Sequence, residues 1–297
     1  MTMTSIYNYL LDNPTPSGST LPDEDSNTGG AGWAPGAQDG VAVYHVASLT
    51  PVNVVPAVEL LAAATAGEPG AFDELHELLR EAPAVHAIDS LLNAVAQVYP
   101  EGFPEELGGV ARRLATTSPY RAAVKIALSL LGAAGKPDDQ ELILTLGGHD
   151  EFTLFAVTAL INLFDDPTAQ VFELARRTTG WGRIHAVYRL AGTSDPDVKA
   201  WMLREGFENE IMNEYLVLTC ATTGGLLQAL QQDDVDAELL HGAAEIFIAL
   251  KMGGPAGSFT DYSDGPVAAE AFLSHLSRLE ESAITDTLEK ARQALTA

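Results

Sequence analysis

From Val54 onward, apolar residues recur with the period of a helix, and polar turns interrupt them at regular intervals. Tyr120 to Ala133 carries Ala123, Ile126, Ala127, Leu130 and Leu131, the i, i+3, i+4, i+7, i+8 spacing of one buried helical face. Glu151 to Phe164 is apolar nearly all round, as suits a helix packed between neighbours on two sides. Three turns share a pattern: Lys136-Pro137-Asp138, Asp166-Pro167-Thr168 and Asp195-Pro196-Asp197, with prolines 30 and then 29 residues apart. Asp166 and Asp195 are suited to capping a helix N-terminus, with Pro at the first helical position; Ser118-Pro119 starts another helix in the same way. Glycines at 147–148, 180, 206 and 224–225 fall where left-handed caps end helices. No run shows the β-branched alternation of a strand. The pattern predicts an all-α fold, an α-solenoid of about seven antiparallel helix pairs that bury their apolar faces by stacking.

The rhythm breaks at both ends. Residues 12–40 are rich in Pro, Gly, Ser, Asp and Asn, and have little apolar content to offset the entropy of ordering. Residues 1–53 are therefore expected to form a mostly flexible acidic leader, with a docked loop at Trp33-Ala34-Pro35-Gly36, and 54–297 a single helical-repeat domain. Near the other end, Gly253 to Pro266 reads as an insertion between helices. Ala268–Glu281 and Ile284–Leu295 read as terminal helices that cap the stack.

Charge narrows the function classes. Sixteen basic against 41 acidic residues give a formal net charge of −25, which disfavours binding nucleic acid through its phosphates. No Lys or Arg precedes Arg80, and none lies between Glu205 and Leu250, whereas Arg176, Arg177, Arg183, Arg189, Lys199 and Arg204 crowd one stretch. That cationic strip either pairs with nearby acids such as Glu205, Glu208, Glu210 and Glu214 or attracts an anionic ligand. The single cysteine, Cys220, excludes an internal disulfide and fits a reducing compartment. Residues 1–11 lack the basic and apolar regions of a signal peptide, and Val54–Ala66 is too short to span a bilayer. A cytoplasmic location is expected.

The roughly 30-residue helix pair with Asp-Pro at its turn resembles the HEAT and armadillo repeats over residues 55–280. More narrowly, Trp181-Gly182-Arg183-Ile184-His185-Ala186-Val187, Leu203-Arg204-Glu205-Gly206-Phe207 and Ile211-Met212-Asn213-Glu214-Tyr215-Leu216 resemble an uncharacterised bacterial HEAT-like family. Its members share a Trp-Ala-Pro-Gly segment like that at 33–36. The resemblance implies the fold; the "limonene hydroxylase" label some members carry finds no support in the residues. Hydroxylation needs an oxygen-activating cofactor. Cys220 has no haem-loop context, no strand precedes a glycine-rich dinucleotide turn, and no cofactor is expected.

The repeat register aligns Phe155, His185 and Glu214 in successive first helices, roughly 8–10 Å apart. His185 is thereby expected to meet Glu214, with Trp181, Arg183, Asn213 and either Glu208 or Asn209 near one edge, and Arg204 as a further binding candidate. Such a pocket offers an imidazole oriented by a carboxylate, an arginine for an anion and an indole platform. The same register equally makes an inter-repeat polar ladder. His185 and Glu214 are the candidate acid–base pair, without a catalytic role being assigned. Glu238, His241 and Glu245 share a helical face, but no second Glu-x-x-His, His-Glu-x-x-His or paired cysteines accompany them, so no metal site is expected. Two functions remain: a scaffold holding a protein or peptide partner on the solenoid surface, or a small-molecule site around Trp181, Arg183, His185 and Glu214. The first, non-enzymatic reading leads.

Overall fold

The computed structural model describes residues 4–14, 18–24, 33–46, 48 and 52–296. Among these residues every regular element is helical, with one isolated bridge between Gly254 and Gly257. The protein is all-α. No helix among the described residues is long and apolar enough to cross a membrane. The chain divides after His185 into two compact units, Met1–His185 and Ala186–Ala297, where a single domain was expected.

The first unit contains α1 (Ile6–Asp12), α2 (Ala37–His45), α3 (Val55–Thr65), α4 (Ala71–Leu78), α5 (Ala84–Val98), α6 (Glu105–Thr117), α7 (Arg121–Ala134), α8 (Gln140–Gly147), α9 (Thr153–Leu163) and α10 (Thr168–Arg177). It also holds the start of α11 (Trp181–Arg189). At its centre lies α7, packed on α5, α6 and α9 and buried at every residue from Ala122 to Gly132. The periodicity predicts one buried face there; enclosure by three helices extends burial all round. The expected helix over Glu151–Phe164 begins two residues later, as α9.

Two helices form inside the expected leader. Ser5 caps α1, whose Ile6 and Leu10 are buried against α6 and α8, and the Ile6 amide donates to the Ser118 carbonyl at 2.9 Å. Gly36 opens α2 in the left-handed region, φ 72°, where a side chain would be strained and would meet the Asp150 carbonyl. Low average hydrophobicity concealed these few well-placed apolar and small residues. Residues 15–17 and 25–32, which weighed heavily in the flexible-leader expectation, lie outside the described residues.

The second unit comprises α12 (Pro196–Trp201), which runs into a π-helical turn at Met202–Gly206, then α13 (Val217–Gly224), α14 (Leu226–Leu230), α15 (Ala237–Met252), α16 (Gly265–Leu276) and α17 (Asp286–Thr296). The long α15 packs on the π turn, α13 and α17, and buries Phe247 against Phe272 of α16.

Asp195 caps α12 as the turn pattern predicts, accepting from the amides of Asp197 and Val198. Asp166 accepts from the Thr168 amide at the start of α10. Of the glycines expected as left-handed caps, Gly225 alone is one, with φ 72° at the end of α13. Gly147 and Gly182 serve close approach instead. A Cβ on Gly147 would stand 2.4 Å from that of Ala156, and one on Gly182 would be 2.4 Å from both Asp150 Oδ1 and Thr153 Oγ1.

Several polar contacts join residues about one turn-spacing apart. Gln170 Nε2 donates to Gln140 Oε1 at 3.0 Å, and the amides of Gly180 and Gly182 donate to the Asp150 carboxylate. Within the second unit the Gly192 amide donates to Thr223 Oγ1, and Arg204 pairs with Asp236.

Candidate functional site

A cleft of about 890 Å³ opens in the first unit, where the 18–24 segment, the start of α2, the turn before α5 and the start of α7 converge. Its floor is charged and buried. Lys125, in the second turn of α7, has its Nζ 2.5 Å from Asp39 Oδ2 and 2.6 Å from Glu151 Oε1. All three residues are under 9% exposed. An ammonium held there without partners would lose its hydration and be destabilised by several kcal/mol; two carboxylates restore the lost interactions. Burial raises the Asp39 carboxyl pKa above its ordinary value, and Lys125 opposes the shift.

One helical turn earlier, Arg121 lies on the same face of α7 as Lys125, a like-charge pair that alone would be unfavourable. Asp23 and Glu24 meet it. Asp23 accepts from the Arg121 backbone amide at 2.9 Å and from its guanidinium at 3.0 Å, and Glu24 accepts at 2.8 Å. Tyr120 makes no side-chain cap at the start of α7; Asp23 supplies the acceptor from 98 residues away. Burial works against the Arg121 charge, but the hydrogen bonds and charge of Asp23, with Glu151 and Glu24, hold its pKa above the ordinary value.

Glu151 ties these parts together. Its Oε2 accepts from the Gly36 amide at 2.7 Å while Oε1 faces Lys125, so one carboxylate pins α2 to α7. Beside it, the buried His149 ring has Nε2 2.8 Å from the Ser19 carbonyl, and its Nδ1 accepts from the Glu151 amide at 3.2 Å. That arrangement fits the neutral Nε2–H tautomer, and burial lowers the imidazole pKa. His149, Asp150 and Glu151 thus form a buried polar triple, with Asp150 accepting from the amides that open α11.

At the rim Trp33 is 65% exposed, so the 33–36 segment is anchored by Gly36 and not by the indole. His86 also lines the cleft. Its Nδ1 is buried without a hydrogen-bond partner among the described residues, an unmet need on the order of 1–3 kcal/mol.

The residues expected to form a pocket are distributed over the two units. In the first, Trp181 is buried and stacks on Tyr44 of α2, ring centroids 6.2 Å apart. His185 is buried and its Nδ1 lies 2.9 Å from the Tyr44 hydroxyl. Arg183 turns its Nε to the carbonyls of Ala175 and Thr178, at 3.1 and 2.7 Å, where it satisfies acceptors at the end of α10. In the second unit, Arg204 of the π turn bonds Asp236 and the Ala200 carbonyl. Asn209 and Asn213 organise their own loop: Asn209 Oδ1 accepts from the amides of Ile211 and Met212, and Asn213 Oδ1 from that of Asn209. Glu214 lies in a 3₁₀ turn (Asn213–Tyr215) instead of the helix its register implied, packed against Gly254. Glu205, Glu208, Glu210 and Glu214 were the expected partners of the cationic strip; Arg177 pairs instead with Glu173 and Arg204 with Asp236. On α15, His241 Nε2 is 3.6 Å from Glu245 Oε1, and among the described residues no three His, Cys, Asp or Glu side chains converge to hold a metal ion.

The sequence reading missed Asp39, Lys125 and Glu151. The available signal was Lys125 itself, a lone charge within Ala122–Leu131, because a lysine amid buried positions requires a buried partner. Its partners lie 86 and 26 residues away, beyond any local pattern.

No family model matches the chain, and neither a curated protein nor a solved structure matches it.

Proposed function

We propose that the protein is a cytoplasmic binding protein of HEAT-like helix pairs, an α-solenoid of about seven pairs, that holds a protein or peptide partner. The partner seats in the cleft of the first unit. One observation carries this reading: an opening of about 890 Å³ stands over a floor whose charges are already paired and fixed, at Asp39, Lys125 and Glu151. A floor built in this way is pre-organised, which lowers the ordering penalty of binding. The 30- and 29-residue turn spacing supports the repeat reading, as do the Gln140–Gln170 and Asp150–Gly180 contacts at the same separation. The alternative, a small-anion pocket around Trp181, Arg183, His185 and Glu214, has less support. Backbone carbonyls take the Arg183 Nε, and Tyr44 engages the His185 ring.

The test is selection of phage-displayed random peptides on the full chain. Selected peptides should lose about tenfold or more in affinity when Gln38, exposed on the cleft wall, is replaced in Gln38→Trp to fill the opening. Enrichment no better than on heat-unfolded protein, or binding indifferent to Gln38→Trp, would overturn the reading.

A further inference from the structure

The charges of the cleft do not balance. Asp23, Glu24, Asp39, Glu81 and Glu151 line it, against Arg80, Arg121 and Lys125. Both cations of the floor are committed. The Lys125 side chain is 8% exposed between two carboxylates, and Arg121 is shared by Asp23, Glu24 and Glu151. An arriving anion finds no unpaired positive charge on the floor. At the rim Arg80 pairs with Glu77 and Glu81, at 3.5 and 4.0 Å. The side chains of Glu24 and Glu81, 35% and 89% exposed, each meet one arginine and still face solvent with acceptor capacity to spare. The electrostatic preference is for a cation.

A second cavity adjoins the first and differs in chemistry. It holds about 260 Å³ and is walled by Val54, Pro56, Leu78, Leu79, Leu91 and Ile126. Glu81, Ala82 and Pro83 border both cavities, so a polar site and an apolar site share one short wall. At 260 Å³ the second is below the roughly 300–1,000 Å³ of a typical small-molecule pocket and suits one bulky side chain. Leu78, on its wall, is 44% exposed.

Resting on the peptide-binding reading above, we infer that the cleft selects a basic peptide segment in which a Lys or Arg stands next to a bulky aliphatic or aromatic residue. The cationic side chain meets Glu24 and Glu81, and its apolar neighbour crosses the 81–83 wall into the second cavity. Acidic composition alone would attract any basic chain; the adjoining apolar pocket adds the requirement for a particular neighbour.

The experiment uses the full chain and three fluorescein-labelled octapeptides, read by anisotropy at about 0.15 M salt. One carries Leu-Lys-Leu-Arg at its centre, one Gly-Lys-Gly-Arg, and one Leu-Glu-Leu-Glu. The first should bind at least about tenfold more tightly than the second, and the third should not bind. Ala57→Trp, which fills the apolar cavity without changing charge, should bring the first peptide down to the affinity of the second and leave the second unchanged. If Ala57→Trp does not fold, Leu78→Gln at its exposed position tests the same cavity. Equal binding of the first two peptides, binding of the third, or indifference to both cavity variants would overturn the inference. Peptide binders that depend on Gln38 but carry no basic–apolar pair would overturn it and leave the binding function standing. A chain that binds no peptide would sink both.

Discussion

A lysine within an apolar helix is tolerated only when its charge is met, and Lys125 is met twice. Removing the ammonium in Lys125→Met leaves Asp39 and Glu151 buried and facing one another. The expected loss, by urea denaturation, is about 3–5 kcal/mol, the usual result of breaking a buried ion pair from one side. Neutralising all three positions, in Lys125→Met with Asp39→Asn and Glu151→Gln, should recover most of it, because a buried charge and not a lost contact is what destabilises the single variant. Gln at 151 still accepts from the Gly36 amide, so the anchor of α2 survives in the triple variant. A triple variant no more stable than Lys125→Met would show that packing, not charge, sets the loss.

Helix α2 docks through small residues. Its Gly40 lies against the Trp181 indole, where a Cβ would stand 2.2 Å from Cε3, and Tyr44 stacks on Trp181 and His185 beyond it. Gly40→Ala should therefore destabilise by about 1–3 kcal/mol, the usual range for overpacking. The loss should concentrate in α2, appearing as faster amide exchange over 37–45 with α7 still protected. Uniform acceleration across the first unit would contradict that assignment. At this scale much was legible. The helices from α7 to α10, the cap at Asp195 and the breaks at Asp166 and Lys136 follow from periodicity and turn chemistry, which act within a few residues. The docking of α1 and α2 was not legible, because it depends on Ile6, Leu10, Gly36 and Gly40 fitting surfaces more than a hundred residues downstream. The site was hidden for the same reason. His185 was expected to meet Glu214 through the repeat register, whereas Tyr44, whose hydroxyl lies against its ring, is 141 residues away in a segment that reads as leader.

For the molecule as a whole, the first loss of stability on acidification is expected from two imidazoles, the buried His149 and the half-buried His76. Burial lowers the pKa of His149, and also that of His76, below the ordinary histidine value of about 6.5. Between the folded and unfolded values the unfolded chain binds more protons, so stability present above about pH 6.5 is lost as the pH falls through that window. Asp39 works in the opposite direction at lower pH: its raised pKa lets the folded state take up a proton before the unfolded chain does. Urea midpoints should fall from pH 7.5 to 5.5, and His149→Gln, whose side-chain amide can still donate to the Ser19 carbonyl, should make that slope shallower. An unchanged slope would assign the acid response elsewhere.

Asp23, Glu24 and Asp39 all reach the cleft from the first 46 residues, a stretch without a single lysine or arginine. Cutting the chain after Val46 and losing that piece would leave Glu81 and Glu151 against Arg80, Arg121 and Lys125. The cleft would reverse polarity. Because α1 and α2 leave with that piece, the wall of the cleft changes with its charge, so one stretch of chain supplies both the closure of the opening and the sign of its lining.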